Sequence, residues 1–279
     1  MTYKELLKKG YDEISKNNLE KNAAKLFLMK YSNKTYNEII LNYANEVTKD
    51  VEISFLNAIN EYINKKTPPQ YIINEQDFYG RTFYVDENVL IPRWETEELV
   101  FHVIKYIKEN FKGKTLKILD IGTGSGCIAT TLALELENVK ITATDISEKV
   151  LSIAQKNSER LCANNIEFVI SDLFKNVKDK FDIIISNPPY VKDNEKIGEC
   201  VDKEPKTALY GGILGVDFYD RILKEVSHYL EDKFLIAFEH GFDQKILIKN
   251  LIKKHLKDVK IKEIKDSSDK DRIIFIEGD

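Results

Sequence analysis

The sequence predicts an α/β protein in three parts. A small all-helical domain occupies residues 1–66, a β-hairpin linker 67–92, and a seven-stranded domain with a parallel sheet flanked by helices 93–279. Three observations predict this. Apolar residues recur at helical spacing through the first part. A proline pair, Pro68-Pro69, closes it. From Leu116 onward, short β-branched runs alternate with helix-length amphipathic segments, the pattern of a sheet covered on its faces by helices.

In the first part, Tyr3, Leu6, Leu7, Tyr11 and Ile14 fall on one helical face. Ala23, Ala24, Phe27, Leu28 and Tyr31 form a second, and Phe55, Leu56, Ile59 and Ile63 a third. Thr2 with Glu5, and Thr35 with Glu38, have the spacing of capping boxes, in which each side chain satisfies a backbone N–H at a helix start. Thr67-Pro68-Pro69 then stops helical structure, because proline lacks the amide donor and disfavours helix in the residue before it. Residues 70–90 read as two strands turning near Gly80. Beyond them, the runs 116–119, 139–143, 166–170, 181–185, 234–238, 259–264 and 273–276 give seven strands. Runs this short and β-branched, alternating with helix-length segments, describe a parallel sheet flanked by helices. Lysine-rich segments read as solvated helix faces.

Composition narrows the class. The 279 residues hold 42 Lys+Arg against 46 Asp+Glu, a net charge of −4, with 43% hydrophobic residues. That is ample for a core and excludes a wholly disordered chain. The near-balance of charge argues against bulk nucleic acid as a stable partner, since phosphate binding needs an excess of Lys and Arg. Cys127, Cys162 and Cys200 show neither CxxC nor Cys/His spacing, so no disulfide framework and no metal site is expected, and a reducing, cytoplasmic setting is. The first residues lack a signal-peptide run, and nowhere do about 18 consecutive apolar residues occur. No membrane association is expected, and a monomer is the default.

After the first strand of the sheet comes Asp120-Ile121-Gly122-Thr123-Gly124-Ser125-Gly126-Cys127, leading into a helix over 128–136. Glycines at a strand-to-helix turn let the backbone approach a ligand, and the helix start offers free N–H groups, so a nucleotide-like ligand is implied. The spacing is GxGxG. Cys127 stands where the dinucleotide fingerprint needs its last glycine, so that fingerprint is not met. The second strand ends at Asp145, where a carboxylate can accept both hydroxyls of a ribose. The third ends in Ser171-Asp172-Leu173, where an acid can take the amine of an adenine. A lone Asp at such an edge is most often a cap for the next turn. A glycine loop and two acids on three neighbouring strand ends favour a nucleoside site.

The fourth strand ends in Asn187-Pro188-Pro189-Tyr190. Prolines stiffen this turn. A planar NH2 group is a poor nucleophile, because its lone pair is delocalised. Two acceptors, the Asn187 side-chain oxygen and the Pro188 carbonyl, can grip both its N–H groups and aim the nitrogen at an electrophile. Tyr190 would stack on the group's flat face. Asn-Pro-Pro-Tyr alone could be merely a turn; with the glycine loop it points to methylation of an amine or amide nitrogen.

The arrangement resembles the S-adenosylmethionine-dependent methyltransferases with a seven-stranded doubly wound domain. Their pattern implies that Asp120 contacts the methionine amino end, directly or through water, and that Asp145 holds the ribose. A closer resemblance rests on Pro69-Gln70-Tyr71-Ile72, Phe78-Tyr79-Gly80, and Val89-Leu90-Ile91-Pro92-Arg93-Trp94-Glu95-Thr96-Glu97-Glu98-Leu99-Val100. Further on, Glu204-Pro205-Lys206-Thr207-Ala208-Leu209-Tyr210-Gly211-Gly212, Gly215-Val216-Asp217-Phe218-Tyr219 and Asp271-Arg272-Ile273-Ile274 extend it. These segments are similar to the HemK-type release-factor glutamine methyltransferases, across nearly the whole chain and in order.

The resemblance implies methylation of the glutamine amide in the Gly-Gly-Gln motif of peptide chain release factors, with S-adenosylmethionine as cofactor. By it, Gly122, Thr123, Gly124, Ser125 and Gly126 line the methionine and ribose, Asp145 holds the ribose, and Asp172 and Leu173 border the adenine. Asn187, Pro188, Pro189 and Tyr190 hold the amide, and Asn187 also borders the cofactor. The helical domain would contact the release factor. Trp94 stands where the family usually has proline, Leu173 where an aromatic is common, and Asn74 where glycine follows. Arg93 and Glu97 can be pocket residues or ordinary charges at a helix start. His240 reads as a strand-end residue, since this transfer needs no strong base. The rival readings are a nucleic-acid amino-methyltransferase acting on adenine N6 or guanine N2, and a nucleoside-binding module without chemistry.

Overall fold

The computed structural model describes residues 1–279 and divides into two compact units. The first comprises Met1–Glu75 together with Ile197–Lys203. Its helices are α1 (Tyr3–Lys16), α2 (Asn22–Ser32), α3 (Tyr36–Leu41), α4 (Lys49–Lys65) and α5 (Pro69–Ile73). Both expected capping boxes form, with Glu5 N–H on Thr2 Oγ1 at 3.3 Å and Thr2 N–H on Glu5 Oε2 at 2.9 Å, and the same exchange between Thr35 and Glu38. Leu6, Ile14, Phe27, Leu28 and Phe55 are fully buried in its core.

One expectation fails here. Residues 69–73 form a helical turn rather than the start of a strand. Pro69 occupies its first position, where the missing N–H costs nothing and the fixed φ suits a helix, so the prolines end one helix and begin another. Asn74 closes α5 in the left-handed region (φ +54°), the conformation that explains glycine there and that asparagine tolerates best among residues with a side chain.

The second unit spans Gln76–Lys196 and Glu204–Asp279. The hairpin, β1 (Glu75–Phe78) with β2 (Arg81–Tyr84), turns through Tyr79 and Gly80, both at positive φ, as a two-residue hairpin requires. Then follow α6 (Trp94–Asn110), β3 (Leu116–Ile121), α7 (Cys127–Glu135), β4 (Val139–Asp145), α8 (Glu148–Arg160), β5 (Ile166–Ile170) and β6 (Phe181–Ser186). The chain continues through α9 (Lys206–Leu209), α10 (Asp217–Glu225), β7 (Leu230–Glu239), α11 (Lys245–His255), β8 (Lys260–Lys265) and β9 (Asp271–Gly278).

All seven expected sheet strands are present, in the order β5-β4-β3-β6-β7-β9-β8. The all-parallel reading needs correction, because β9 runs antiparallel to both β7 and β8. Only residues 266–270 separate β8 from β9, too few for the crossover that parallel strands demand. The runs of the central strands β3, β6, β7 and β9 do not alternate with polar residues because both their faces are covered, whereas edge strand β8 alternates lysine with isoleucine and is largely exposed. Ile118, Ile183, Ile185, Leu235, Ile273 and Phe275 pack with α6 and α7, while Leu119, Ile184, Ile236, Phe238, Ile274 and Ile276 pack with α10 and α11. Chain direction across the sheet reverses between β3 and β6. The crevice at their carboxyl ends is where such sheets bind ligands. No helix is long and apolar enough to cross a membrane.

Candidate active site

Leaving β3, the chain passes through Gly122 (φ +72°), Gly124 (φ +56°) and Gly126 (φ +79°) into α7. A Cβ on Gly122 or Gly124 would meet nothing within 4 Å, and both line a cleft of about 610 Å³. That is backbone left bare for a ligand. Gly126 serves another purpose. A Cβ there would sit 2.9 Å from Ala154 Cβ and 3.0 Å from Ala154 Cα, so this glycine lets α7 and α8 approach. Thr123 and Ser125 are buried.

Asp120 is fully buried. Its Oδ2 accepts the Thr123 hydroxyl at 2.7 Å, and its Oδ1 has no partner. Burial pushes its carboxyl up to about 7, against the Thr123 hydrogen bond. Its visible contact is to the loop itself. An orphaned, fully buried acceptor beside two bare glycines is what a cationic amine or its water would satisfy. Asn157 on α8, absent from the sequence reading, braces the loop. Its amide donates to Ser125 O and Tyr84 O, each at 2.9 Å, and its Oδ1 accepts Tyr84 N–H at 2.7 Å.

Asp145 stands at the end of β4 on the cleft wall. Gly124 N–H donates to its Oδ2 and Ser147 N–H to its Oδ1, both at 3.2 Å, while burial raises its pKa. Each oxygen keeps a lone pair for a hydroxyl donor. Ile146 follows, 66% exposed on the same wall, an apolar plate that its place after the acid could have announced. Asp172 also lines the cleft, yet both its oxygens already accept Arg221 Nη2, at 2.7 and 2.8 Å. Leu173, beside it on the wall, is held in the left-handed region (φ +52°).

Asn187, Pro188 and Pro189 border the same cleft. Behind them lies a network that sequence reading missed. Asn187 Nδ2 donates to Thr96 Oγ1 at 3.1 Å, and Thr96 Oγ1 donates to Glu239 Oε2 at 2.7 Å. The Tyr190 hydroxyl donates to Glu239 Oε1 at 3.3 Å, and the Tyr219 hydroxyl to the Glu239 carbonyl at 2.7 Å. Glu239 is fully buried, and burial pushes its carboxyl up to about 7. Tyr190 is half-buried against the α10–α11 core, with burial raising its pKa.

The chain after the turn is fastened by backbone. Val191 N–H donates to Leu209 O at 2.8 Å and Gly211 N–H to Val191 O at 2.9 Å. Gln244 donates to Tyr190 O at 2.7 Å. A Cβ on Gly211 would lie 2.2 Å from Pro189 O, and one on Gly215 2.2 Å from Tyr190 O, which accounts for these glycines. Arg93 pairs with Glu204, which also accepts Ile91 N–H at 3.0 Å, and Glu97 accepts Tyr79 N–H at 2.9 Å. Both charges hold chain segments together. His240 is buried, with Nδ1 against Gly241 O at 2.8 Å and its pKa lowered by burial. Trp94 is 46% exposed at the first position of α6, the position that favours proline.

Residues 102–209 match the family described as "Methyltransferase small domain". The chain is 36% identical over 279 residues to the release factor glutamine methyltransferase of Bacillus anthracis, covering 98% of each. It is 38% identical over 278 residues to that of Bacillus subtilis, covering 97% of this chain and 96% of the relative. Among solved structures, a methyltransferase from Pyrococcus furiosus shares the fold, with a TM-score of 0.52 at 23% identity over 82% of this chain and 98% of that one.

Proposed function

The chain belongs to the family of release factor glutamine methyltransferases, and from that membership we propose its reaction. It transfers a methyl group from S-adenosylmethionine to the side-chain amide nitrogen of the glutamine in the Gly-Gly-Gln loop of a peptide chain release factor. One observation carries the reading. The acceptor turn, Asn187-Pro188, borders the same cleft as Gly122, Gly124 and Asp145, so nucleophile and methyl donor would share one space.

When bound, S-adenosylmethionine supplies an electrophilic methyl group on a sulfonium. The residues present fit it. Gly122 and Gly124 offer bare backbone to the methionine and ribose, Asp145 has lone pairs for the ribose hydroxyls, and Ile146 and Leu173 offer apolar surface to the base. Asp172, held by Arg221, would share itself with the adenine amine. Asp120 would serve the methionine amine through its unpartnered Oδ1.

On the other side, Asn187 Oδ1 and the Pro188 carbonyl would accept the two amide N–H groups of the substrate. That fixes the nitrogen in line with the methyl and raises its electron density, while Tyr190 flanks the amide. The amide proton becomes acidic only once nitrogen is methylated, so no strong base is required. The helical part of the chain, 1–66, would recognise the release factor, since a free glutamine side chain carries little identity. Such a substrate fits the cytoplasm; the monomer remains the default, and the charge balance of 42 Lys+Arg against 46 Asp+Glu favours no stable nucleic-acid complex.

The test is transfer of labelled methyl from S-adenosylmethionine to an unmethylated full-length release factor, beside tRNA, rRNA and DNA. Mass spectrometry locates the modified residue. Label on the Gly-Gly-Gln glutamine is expected, and label confined to a nucleic acid would overturn the reading.

A further inference from the structure

A hydroxyl has one proton to give. Thr96 gives its proton to Glu239 at 2.7 Å, so toward Asn187 it can only accept, and only Nδ2 of Asn187 can donate to it. The side-chain amide of Asn187 is thereby locked in one of its two flips, with Oδ1 left for the cleft. Glu239 simultaneously receives the Tyr190 hydroxyl at 3.3 Å. A single buried carboxylate thus governs both polar side chains of the turn, one directly and one through a relay.

We infer that Thr96 and Glu239 are positioning residues, which orient Asn187 so that its oxygen rather than its nitrogen meets the substrate amide. The inference deepens the proposed function and rests on it. The wrong flip would present Nδ2–H2 to an incoming NH2, donor against donor, and the nitrogen would have nothing to hold it. Thr96 is 3% exposed and Glu239 fully buried, so neither touches the release factor. Their effect is on the transfer step, through geometry. Gln244 plays the matching part for the backbone, holding Tyr190 O at 2.7 Å.

The experiment sets Thr96→Val against Thr96→Ser. Valine keeps the volume and removes the hydroxyl, and serine keeps the hydroxyl and removes the methyl. A positioning role makes Thr96→Val lose kcat by about ten- to a hundredfold, the scale on which small misplacements of a reacting group act. KM for the release factor and the dissociation constant for S-adenosylmethionine stay near wild type, and Thr96→Ser retains most of the rate. A packing role reverses the order, with valine tolerated and serine impaired, and that result overturns the inference.

A second readout needs neither cofactor nor turnover. In the 15N-labelled wild type, the Asn187 side-chain amide, assigned by its loss in Asn187→Ala, should show one slowly exchanging proton, and exchange should quicken in Thr96→Val. Fast exchange of both protons in the wild type overturns the inference even if the Thr96 variants fail to fold. A wild type that methylates no release factor overturns the proposed function itself, and the inference with it. A wild type that does so, beside a Thr96→Val of equal rate, overturns the inference alone.

Discussion

At the carboxyl end of β3, the glycine loop takes its support from chain at most 32 residues away, in β3, β4 and α8, whereas the turn after β6 takes its support from farther off. Thr123 bonds Asp120 three residues earlier, and Gly124 bonds Asp145 across 21 residues on the adjoining strand. Asn187 depends on Thr96, 91 residues before it, and Tyr190 on Glu239 and Gln244, 49 and 54 residues after it. The difference follows from what each must do. A loop that cradles a ligand with its backbone needs the right φ angles, room above the chain and a brace such as Asn157 on its backbone carbonyl. A turn that must present one particular oxygen needs its side chain clamped, and a clamp requires a buried hydrogen-bonding partner from another element.

Separating the two regions experimentally gives the largest expected effect. Asn187→Ala removes the acceptor and should lower kcat by about 10²–10³-fold, comparable to losing one oriented hydrogen-bonding group at a reacting centre. Titration calorimetry should find S-adenosylmethionine binding far less affected than the rate. Asp145→Ala should do the reverse. It removes the acceptor of both ribose hydroxyls, and as each hydrogen bond to a charged group is worth about 1.5–3 kcal/mol, the dissociation constant should weaken by roughly a hundredfold or more, with kcat recovering at saturating cofactor. Equal losses of binding and rate in both variants would mean that the cleft does not divide in this way.

A smaller effect tests the loop's own division of labour. Gly126→Ala forces a left-handed φ on alanine and drives its Cβ to 2.9 Å from Ala154. Overpacking of this kind costs about 1–3 kcal/mol and should appear as a lower denaturant midpoint. Gly122→Ala has open space for its Cβ and bears only the backbone strain, about 1–2 kcal/mol. Its larger consequence should be on cofactor binding. A Gly126→Ala as stable as the wild type would show that α7 and α8 can part without cost.

Legibility in the sequence follows the same line. The seven strands, both capping boxes, the Tyr79-Gly80 turn and the glycine loop are local, and each is readable from spacing alone. Misreadings arise where a local signal has two uses. Pro69 reads as a breaker although proline also suits a helix start, and the apolar run of β9 reads as a parallel strand although five connecting residues rule that out. Asp145, Asn187 and the glycines of the cleft were nameable from sequence. Thr96, Asn157 and Glu239 were not. A threonine in the first turn of a helix looks like ordinary capping chemistry, a helical asparagine like surface, and a glutamate closing an apolar strand like the edge of the sheet. What gives Glu239 its role is burial together with Thr96, Tyr190 and Tyr219, and those come together only in the fold.

A last contrast sets the two regions against pH, because each holds one fully buried carboxylate with its pKa pushed up to about 7, Asp120 in the first and Glu239 in the second. Their ordinary values are 3.8 and 4.5. A folded pKa above the unfolded one means that the stability such a group contributes is fully present below the unfolded value and is lost as pH rises to about 7. Asp120→Asn, which carries no charge, should therefore gain stability relative to the wild type as pH climbs from 5 to 8, read as the difference between two urea-unfolding series.

Glu239 should appear in turnover instead. Around it stand Thr96 and Glu95 on α6, Tyr190 after β6, Tyr219 on α10, Cys127 on α7 and Arg272 on β9. Arg272 favours its charged form, and Glu95 opposes it. Protonated, its carboxyl can donate to Thr96, which is then free to donate to Asn187 Oδ1 and draw that oxygen away from the substrate. The kcat/KM of the wild type should fall as pH drops through about 7, because that ratio reports the titrating groups of the free enzyme. In Thr96→Val, where the relay is already cut, the fall should flatten. A profile of the same shape in both proteins would place the titrating group somewhere other than Glu239.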